Sequence, residues 1–288
     1  MSDDTSSMVA HLPANCGRLI AIGGAEDKSS DLRILSRVFS HACGSDEVAV
    51  IATASGIPEE VLPAYEEAFK RLGATEVHPL DVRNRRDAAD EDNVRRIGRS
   101  GAIFFTGGDQ LRLTNVFGGS PMLKAIRDRF NAGAVVAGTS AGAMALPSTM
   151  IYNGEAADAL HKGEVKMTSG LGFVDGVIID SHFLERGRIT RLMEVGATNP
   201  EHLGVGLGED AAVIIHPHRV LEAIGSGHVI IVDSRDLARS NVADLAQGEA
   251  VAIENVIMHA LIDGHGFDVD NRRYLVPEEL NQDARSAV

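Results

Sequence analysis

A serine at position 140 stands in a sequence pattern that is typical of a catalytic nucleophile. Residues 134–143 form an apolar, strand-like run that breaks into Gly-x-Ser-x-Gly and then into helix-forming residues. In such a nucleophile elbow the serine sits exposed on a strained strand-to-helix turn, and its small neighbours avoid clashes. The N–H groups at the start of the next helix suit the negative charge that develops when a hydroxyl attacks a carbonyl. The alternative is a tight turn that serves packing alone, since short motifs also occur by chance.

A serine hydroxyl attacks only when a base takes its proton, so the elbow predicts a histidine and an orienting acid at other strand ends. Of the 11 histidines, His182 is the best placed, because it directly follows the apolar run Val177–Asp180. Its alternative is a structural role. The acid has four candidates, between which spacing does not decide: Glu209, Asp210, Asp158 and Glu155.

An oxyanion hole requires two backbone N–H groups aimed at one oxygen. Ala141, directly after the serine, supplies one of them by elbow geometry. The second is predicted from Gly108, in the run Thr106–Gln110 that ends another strand. Paired glycines after a strand are also common in ordinary turns.

Three arginines follow the candidate base closely, at Arg186, Arg188 and Arg191. The planar guanidinium binds carboxylates through two hydrogen bonds, so such a cluster beside a serine indicates an acidic group on the substrate. The alternative is the charged face of a surface helix. The substrate interpretation predicts that Arg186→Ala and Arg191→Ala weaken substrate use and leave folding intact.

Apolar strand candidates alternate with helix-like segments along the chain. The strands are predicted at Arg18–Ile22, Glu47–Ala52, Glu76–Leu80, Ala102–Thr106 and Ala134–Ala137, and the helices at Leu32–His41, Pro58–Leu72 and Gln110–Asn131, with a charged stretch through Arg99. This alternation predicts an α/β fold with a doubly wound, mostly parallel sheet whose C-terminal strand ends carry the site.

The second half of the chain is less regular. After a looser segment at Tyr152–Leu171 come a strand at Val177–Asp180, a helix near Arg186–Val195, and three strands at Ala211–His216, Val220–Ile224 and Val229–Val232. These last three predict antiparallel strands that cover one edge of the sheet. We predict a single domain at 16–274, with tails at 1–15 and 275–288.

Composition excludes some classes of protein. The formal charge is −14, from 27 basic and 41 acidic residues, which argues against a nucleic-acid partner. Cys16 and Cys43 have no metal-ligand spacing and are too few for a disulfide scaffold, which favours a cytoplasmic location. No basic leader and no apolar run of about 20 residues is apparent, so we expect neither export nor a membrane span.

Four segments in order resemble the cyanophycinase family, serine peptidases related to the aspartyl dipeptidases. They are Ile22–Lys28, Phe105–Leu111, Gly138–Ala143 and Asp180–Arg191. The resemblance implies a flavodoxin-like fold related to class I glutamine amidotransferases, with serine in place of cysteine. It also implies hydrolysis of cyanophycin, a poly-aspartate whose side chains carry arginine, to β-Asp-Arg dipeptides. Ser140 matches the family nucleophile, His182 the base and Glu209 the acid.

The resemblance extends to a substrate pocket, whose matching residues are Gln110, Asp180, Arg186, Arg188 and Arg191. The arginines are expected to hold carboxylates of the polymer, and Asp180 to receive a guanidinium. Many members have glutamine where this chain has Ser181, which either widens the pocket or leaves room for a water. The resemblance implies no metal or organic cofactor, and it implies a homodimer.

Two other functions remain open from the sequence. One is an aspartyl dipeptidase or related isopeptide hydrolase of the same family, which would act on small peptides and not on the polymer. The other is a binding module that uses Gly23-Gly24 and Gly107-Gly108 as phosphate loops, although neither run has the Gly-x-Gly-x-x-Gly fingerprint.

Overall fold

Five parallel strands form the centre of the larger of two main sheets in the computed structural model, which describes residues 17–280. They are β1 (Leu19–Ile22), β2 (Glu47–Ile51), β3 (Glu76–Leu80), β4 (Ala102–Phe105) and β5 (Val135–Thr139). Their order across the sheet is β3-β2-β4-β5-β1. All five strands were predicted from the sequence, and the observed bounds differ from the predicted ones by two residues at most.

Helices cover both faces of this sheet because alternate residues of each strand point to opposite sides. On one face lie α1 (Arg33–Ser40) and α2 (Pro58–Arg71), which pack on Ile20 and Phe104. On the other face lie a short 3₁₀ turn (Asp87–Ala89), α3 (Glu91–Arg99), α4 (Gln110–Phe117) and α5 (Pro121–Asn131). The helix predicted at Gln110–Asn131 is therefore two helices, because Gly118-Gly119 ends α4 and the Ser120 hydroxyl caps α5.

The remaining elements follow the central strands in the chain. The helices are α6 (Ala141–Met144) and α7 (Ile189–Thr198), and the strands are β6 (Thr149–Asn153), β7 (Lys166–Ser169), β8 (Val177–Ser181), β9 (Leu203–Leu207), β10 (Ala211–Ile215), β11 (Val220–Gly225), β12 (Val229–Asp233), β13 (Arg239–Ser240), β14 (Ile253–Glu254), β15 (Ile257–Leu261), β16 (Gly266–Asp268) and β17 (Arg273–Leu275). The helix predicted near Arg186 thus begins three residues later, at Ile189. Two pairs, β6-β7 and β13-β14, form small separate sheets.

Antiparallel strands extend the main sheet beyond β1, in the order β10, β11, β16 and β17. This confirms two of the three strands predicted to cover that edge. The third prediction is wrong, because β12 belongs to a separate four-stranded sheet with order β15-β12-β9-β8. The strand predicted at Val177–Asp180 also belongs to this second sheet.

The glycine-rich run before Glu209 is an inner strand of the second sheet, β9, which composition alone did not indicate. Its glycines have a packing reason. A side chain at Gly206 would place its Cβ 2.3 Å from the ring of Phe183, and one at Gly204 would meet Leu192 and Val232. Small residues thus let α7 and the preceding loop approach the strand closely.

The packed chain extends past residue 274, where we predicted a tail. Leu275 ends β17, and Leu280 is buried against Val220. The predicted tail at 1–15 and the last eight residues lie outside the described part of the chain. No helix within residues 17–280 is long and apolar enough to cross a membrane.

Candidate active site

Ser140 occupies a sharp turn between β5 and α6, at the C-terminal edge of the main sheet. Its backbone has φ 52° and ψ −115°, a strained conformation for a residue with a side chain. Both flanking glycines are required by close backbone contacts. A Cβ at Gly138 would lie 2.5 Å from the carbonyl carbon of Gly142, and one at Gly142 would lie 2.5 Å from the carbonyl oxygen of Phe105. The predicted elbow is therefore present in its local geometry.

A line of three side chains runs from this serine through a histidine to an acid. The hydroxyl of Ser140 lies 3.0 Å from Nε2 of His182, and Nδ1 of His182 lies 2.7 Å from Oε1 of Glu209. A carboxylate only accepts hydrogen bonds, so the contact with Glu209 keeps the proton on Nδ1. Nε2 is then left with a lone pair that faces the serine hydroxyl. This arrangement can activate an alcohol for attack.

Of the four candidate acids, Glu209 is the one that contacts His182. The neighbouring Asp210 accepts hydrogen bonds from the Ser226 hydroxyl and from the backbone N–H of Asp27. Spacing along the chain did not distinguish Glu209 from Asp210 because the two are adjacent. They differ in the direction in which their side chains point.

Gly23 and Gly24, at the end of β1, hold the loops that carry His182 and Glu209. The carbonyl of Gly23 accepts from the backbone N–H of His182, and that of Gly24 accepts from the N–H of Asp210, both at 2.9 Å. Gly24 has φ 109°, and a Cβ there would lie 2.4 Å from Cε1 of His182. The run that resembled a phosphate loop thus lies directly under the imidazole.

A buried acid, Glu26, supports the serine from the same loop. Its carboxylate accepts hydrogen bonds from the hydroxyls of Thr139, at 2.7 Å, and Tyr65, at 2.5 Å. Lys28 lies 3.4 Å from the same carboxylate. Burial, followed by the negative charge of Glu26, raises the pKa of Tyr65 well above its usual value. Sequence reasoning did not assign a role to Glu26, although it lies in the first of the four family-like segments.

The glycine pair Gly107-Gly108 lies against the serine. A Cβ at Gly107 would be 3.3 Å from Cβ of Ser140, and Gly108 has φ 138° and lies tightly against the carbonyl of Ala54. Within residues 17–280, the N–H groups of Gly108 and Ala141 have no backbone acceptor. Both predicted oxyanion donors therefore lie beside the serine and are available to a ligand.

A polar cavity of about 180 Å³ opens on one side of Ser140 and contains the arginine cluster. Arg188 and Arg191 contact Asp180, at 3.1 and 3.0 Å. Arg191 also donates to the carbonyl of Gly154 at 2.8 Å. Arg186 is exposed at the cavity rim. We name this space the arginine cavity.

The role predicted for Asp180 needs correction. The residue is 0 % exposed, and its carboxylate contacts the two arginines of this chain, so it is not available to a guanidinium of the substrate. Burial raises the pKa of Asp180 and lowers that of Arg188, and their pairing opposes both shifts. With three guanidinium groups and one carboxylate, the cluster retains an excess of positive charge that suits an anion.

Gln110 and Ser181 also line the arginine cavity. The amide of Gln110 donates to the carbonyl of Ile151 at 2.9 Å. Ser181 is buried, and its hydroxyl lies 3.2 Å from the sulfur of Met144. Both residues therefore lie where the resemblance implies, and Ser181 reaches only a weak acceptor.

Residues 152–155 form another wall of the arginine cavity. They begin a segment, 152–165, whose later part is bonded to α7. Oε1 of Glu194 accepts from the N–H groups of Gly163 and Val165, and Oε2 accepts from that of Leu160. Glu194 is buried, so these charge-assisted bonds are shielded from water. Sequence reasoning missed Glu194 because nothing in the local pattern distinguishes it from a surface acid.

One group in the described chain has the residue types of a metal site, formed by Glu47, Glu76 and His78. Arg99 already donates to both glutamates, at 2.8 and 3.1 Å. Glu47 begins β2, Glu76 begins β3 two residues before His78, and Arg99 ends α3. All four lie toward the N-terminal ends of the parallel strands, whereas Ser140 follows the C-terminal end of β5. We interpret the group as a structural network of hydrogen bonds and ion pairs around the buried His78.

Together, the strained serine, the line to His182 and Glu209, and the two free N–H groups define a serine hydrolase on a mixed α/β fold. The model of Peptidase family S51 matches residues 19–223, and the chain belongs to this family of serine-type peptidases.

Named relatives cover most of the chain. It is 37% identical over 257 residues to a cyanophycinase of Geminocystis herdmanii, covering 88% of this chain and 93% of that protein. It is also 37% identical to a cyanophycinase of Thermosynechococcus vestitus, covering 88% and 79%. A crystal structure of a peptidase from an acI-B1 Actinobacterium superposes with a TM-score of 0.68 at 20% identity, covering 91% and 99%. That structure supports the fold alone.

Proposed function

We propose that this peptidase hydrolyses cyanophycin as an exopeptidase and releases β-Asp-Arg dipeptides. The observation that carries the proposal is the position of Ser140, which lies between His182 and a cavity with an excess of arginine. Each unit of the polymer has one carboxylate and one guanidinium, so an arginine-rich cavity beside the nucleophile fits its carboxylate. The relatives named as cyanophycinases support the same substrate.

The proposed reaction follows from the hydrogen bonds of the site. Ser140 attacks the carbonyl of the aspartate backbone, and Nε2 of His182 takes its proton. Glu209 orients the imidazole and stabilises its charged form. The N–H groups of Gly108 and Ala141 stabilise the oxyanion. His182 then protonates the departing amine, and water hydrolyses the acyl-enzyme by the reverse proton path.

Substrate recognition follows from the charges of the arginine cavity. Arg186, Arg188 and Arg191 bind the carboxylate of the unit, and Asp180 fixes the last two in position. Glu155 also lines the cavity, and its carboxylate has no hydrogen bond or ion pair within the described residues. We assign to Glu155 the guanidinium contact that the sequence suggested for Asp180. Gln110 and Ser181 complete the walls, and the short Ser181 leaves space that a longer amide would fill.

Further parts of the proposal concern the fold, the assembly and the location. The parallel order β3-β2-β4-β5 matches strands 2-1-3-4 of a flavodoxin-like sheet, with β1 in the place of the fifth strand. This supports the flavodoxin-like, amidotransferase-like class. We also propose a homodimer and a cytoplasmic location. The dipeptidase alternative is not favoured, because relatives at 34–37% identity are named cyanophycinases.

Incubation of purified protein with cyanophycin, followed by mass spectrometry of the released products, tests this function. The wild type should release β-Asp-Arg, and Ser140→Ala should lower the rate by a factor of about 10⁴ or more. Release at an unchanged rate from Ser140→Ala would overturn the serine mechanism. A wild type that is inert toward the polymer and cleaves small aspartyl peptides would overturn the substrate.

A further inference from the structure

A second cavity, of about 400 Å³, also opens at Ser140. Its walls come from the loop after β1, from the start of α2 and from His182. Ser140 is the one residue that lines both cavities among those described. We name this second space the lysine cavity, after Lys28 in its wall.

The two cavities differ in which catalytic group they contain. The arginine cavity contains Gly108 and Ala141, whose N–H groups are the proposed oxyanion donors. The lysine cavity contains His182, the proposed proton donor to the departing amine. In acyl transfer by a serine, the departing nitrogen must lie within reach of the imidazole, on the side away from the acyl group's own pocket. The leaving part of the substrate is therefore directed into the lysine cavity.

The charges of the lysine cavity also fit a zwitterionic unit. Lys28 contacts the buried Glu26, yet 31 % of its side chain is exposed. Glu60, in the first turn of α2, is exposed, and its carboxylate has no ion pair or hydrogen bond within residues 17–280. Glu26 is already occupied by Tyr65 and Thr139, so Glu60 is the acid that remains for a ligand.

We propose that the lysine cavity is the subsite for the leaving unit, in which Glu60 binds its guanidinium and Lys28 its carboxylate. This inference rests on the proposed function, because it takes the leaving unit to be an arginine-bearing aspartate. In the acylation step the bond from Oγ of Ser140 to the carbonyl carbon forms and the C–N bond breaks. The serine proton passes through Nε2 of His182 to the departing nitrogen, and the unit leaves as a neutral amine.

Two synthetic substrates with one acyl unit and different leaving units test the subsite. The first is the dimer of β-Asp-Arg, joined through the aspartate backbone. The second has citrulline in place of arginine in the leaving unit only, which removes the positive charge and keeps the shape. We expect the wild type to prefer the arginine substrate by about tenfold in kcat/KM. Glu60→Lys should abolish this preference.

Glu59→Lys is the matched control, because it changes the net charge by the same amount as Glu60→Lys. Glu59 is also exposed in the first turn of α2, but it does not line the cavity. It should keep the preference. Equal rates of the wild type on both dimers, or a preference that persists in Glu60→Lys, would overturn the subsite and leave the proposed function standing. If the wild type cleaves neither dimer nor the polymer, the proposed function itself fails.

Discussion

At the scale of single residues, the site depends on a buried carboxylate that positions cations. Asp180 contacts Arg188 and Arg191, and both arginines also donate to backbone carbonyls. Each guanidinium is therefore fixed before any ligand arrives, which lowers the entropic cost of binding an anion. Within residues 17–280 the side chain of Arg186 has no such partner, and it is exposed. The three arginines that looked equivalent in the sequence thus differ in how far folding depends on them.

We expect Arg186→Ala and Arg191→Ala to separate substrate use from stability. Arg186→Ala should lower kcat/KM for the polymer about tenfold and leave unfolding by urea unchanged, because it removes an exposed charge. Arg191→Ala should lower activity and also destabilise the fold by about 3 kcal/mol, since it removes a partner of the buried Asp180. This revises our expectation that both variants fold normally. Equal unfolding midpoints for the two variants would contradict it.

His41 is expected to make stability depend on pH. Burial, together with Arg37, Arg18 and His216, lowers its pKa from 6.5 to about 4. Between these values the unfolded chain binds a proton that the folded chain does not, so the free energy of unfolding falls as the pH falls from about 6.5 to about 4. Glu222 opposes the shift and does not reverse it.

His41→Gln should therefore lose less stability over that pH range than the wild type, by on the order of 1 kcal/mol. Urea unfolding at about pH 7 and about pH 4.5 measures this difference. His228→Gln, which removes an exposed histidine, is the control. The same pH dependence in wild type and His41→Gln would exclude His41 as the cause.

At the scale of elements, the site is built from the loops that follow five strands. β4 leads to Gly108, β5 to Ser140, β8 to His182 and β9 to Glu209, while β1 leads to Gly24 beneath the histidine. Backbone hydrogen bonds join the loop after β1 to those after β8 and β9, so the distances within the site depend on contacts between loops. Gly24 tests this most directly, because its absent side chain leaves the space that the imidazole occupies.

Gly24→Ala should displace the imidazole and lower kcat on the order of 100-fold or more. Its Cβ would overlap the ring of His182, and its φ of 109° adds backbone strain of about 1 kcal/mol. Gly248→Ala is the matched control, because Gly248 has φ 82° and open space around its Cβ. Gly248→Ala therefore introduces backbone strain, but its Cβ contacts nothing and does not displace His182. Steady-state kinetics and thermal unfolding of both variants distinguish displacement of the histidine from general destabilisation.

The elements that the sequence predicted well are those whose hydrophobic pattern lies within the element itself. Strands β1, β2, β4 and β5 are short runs in which nearly all residues are apolar or small, so their type and approximate bounds follow from the letters alone. β3 is more polar and was placed by its position in the alternation of strands and helices. β9 is different, because its glycines are dictated by Phe183 and α7, which lie elsewhere in the chain. The choice of Glu209 over Asp210 and the burial of Asp180 likewise depend on which loops meet in space. The elbow could be recognised from its own Gly-x-Ser-x-Gly sequence, although Gly142 is also required by its contact with the carbonyl of Phe105.

At the scale of the whole molecule, the candidate active site and the N-terminal ends of the central strands lie at opposite edges of the main sheet. The central strands are parallel, so all their C-terminal ends face the site and all their N-terminal ends face away, about 16 Å distant. Cys43 lies at the far end, where its N–H donates to the carbonyl of Gly101 just before β4. It is an exposed free cysteine in the described chain.

Attachment of a bulky maleimide to Cys43 should therefore change kcat/KM less than twofold, as measured on the polymer. The experiment uses Cys16→Ser so that labelling is confined to Cys43, with the unlabelled variant as the control. Loss of activity on labelling would contradict the separation of the two ends and would connect the far edge of the sheet to the site.

The proposed nucleophile and the proposed pair that activates it belong to different sheets: Ser140 follows a strand of the main sheet, whereas His182 and Glu209 follow strands of the second. During synthesis on the ribosome, the serine thus emerges well before the acid that completes its proton path. By the proposed mechanism, a nascent or half-unfolded copy carries a serine without its base, so we expect it not to cut the peptides around it. We therefore expect hydrolysis only from molecules in which both sheets have formed and packed together, so that activity is a property of complete molecules.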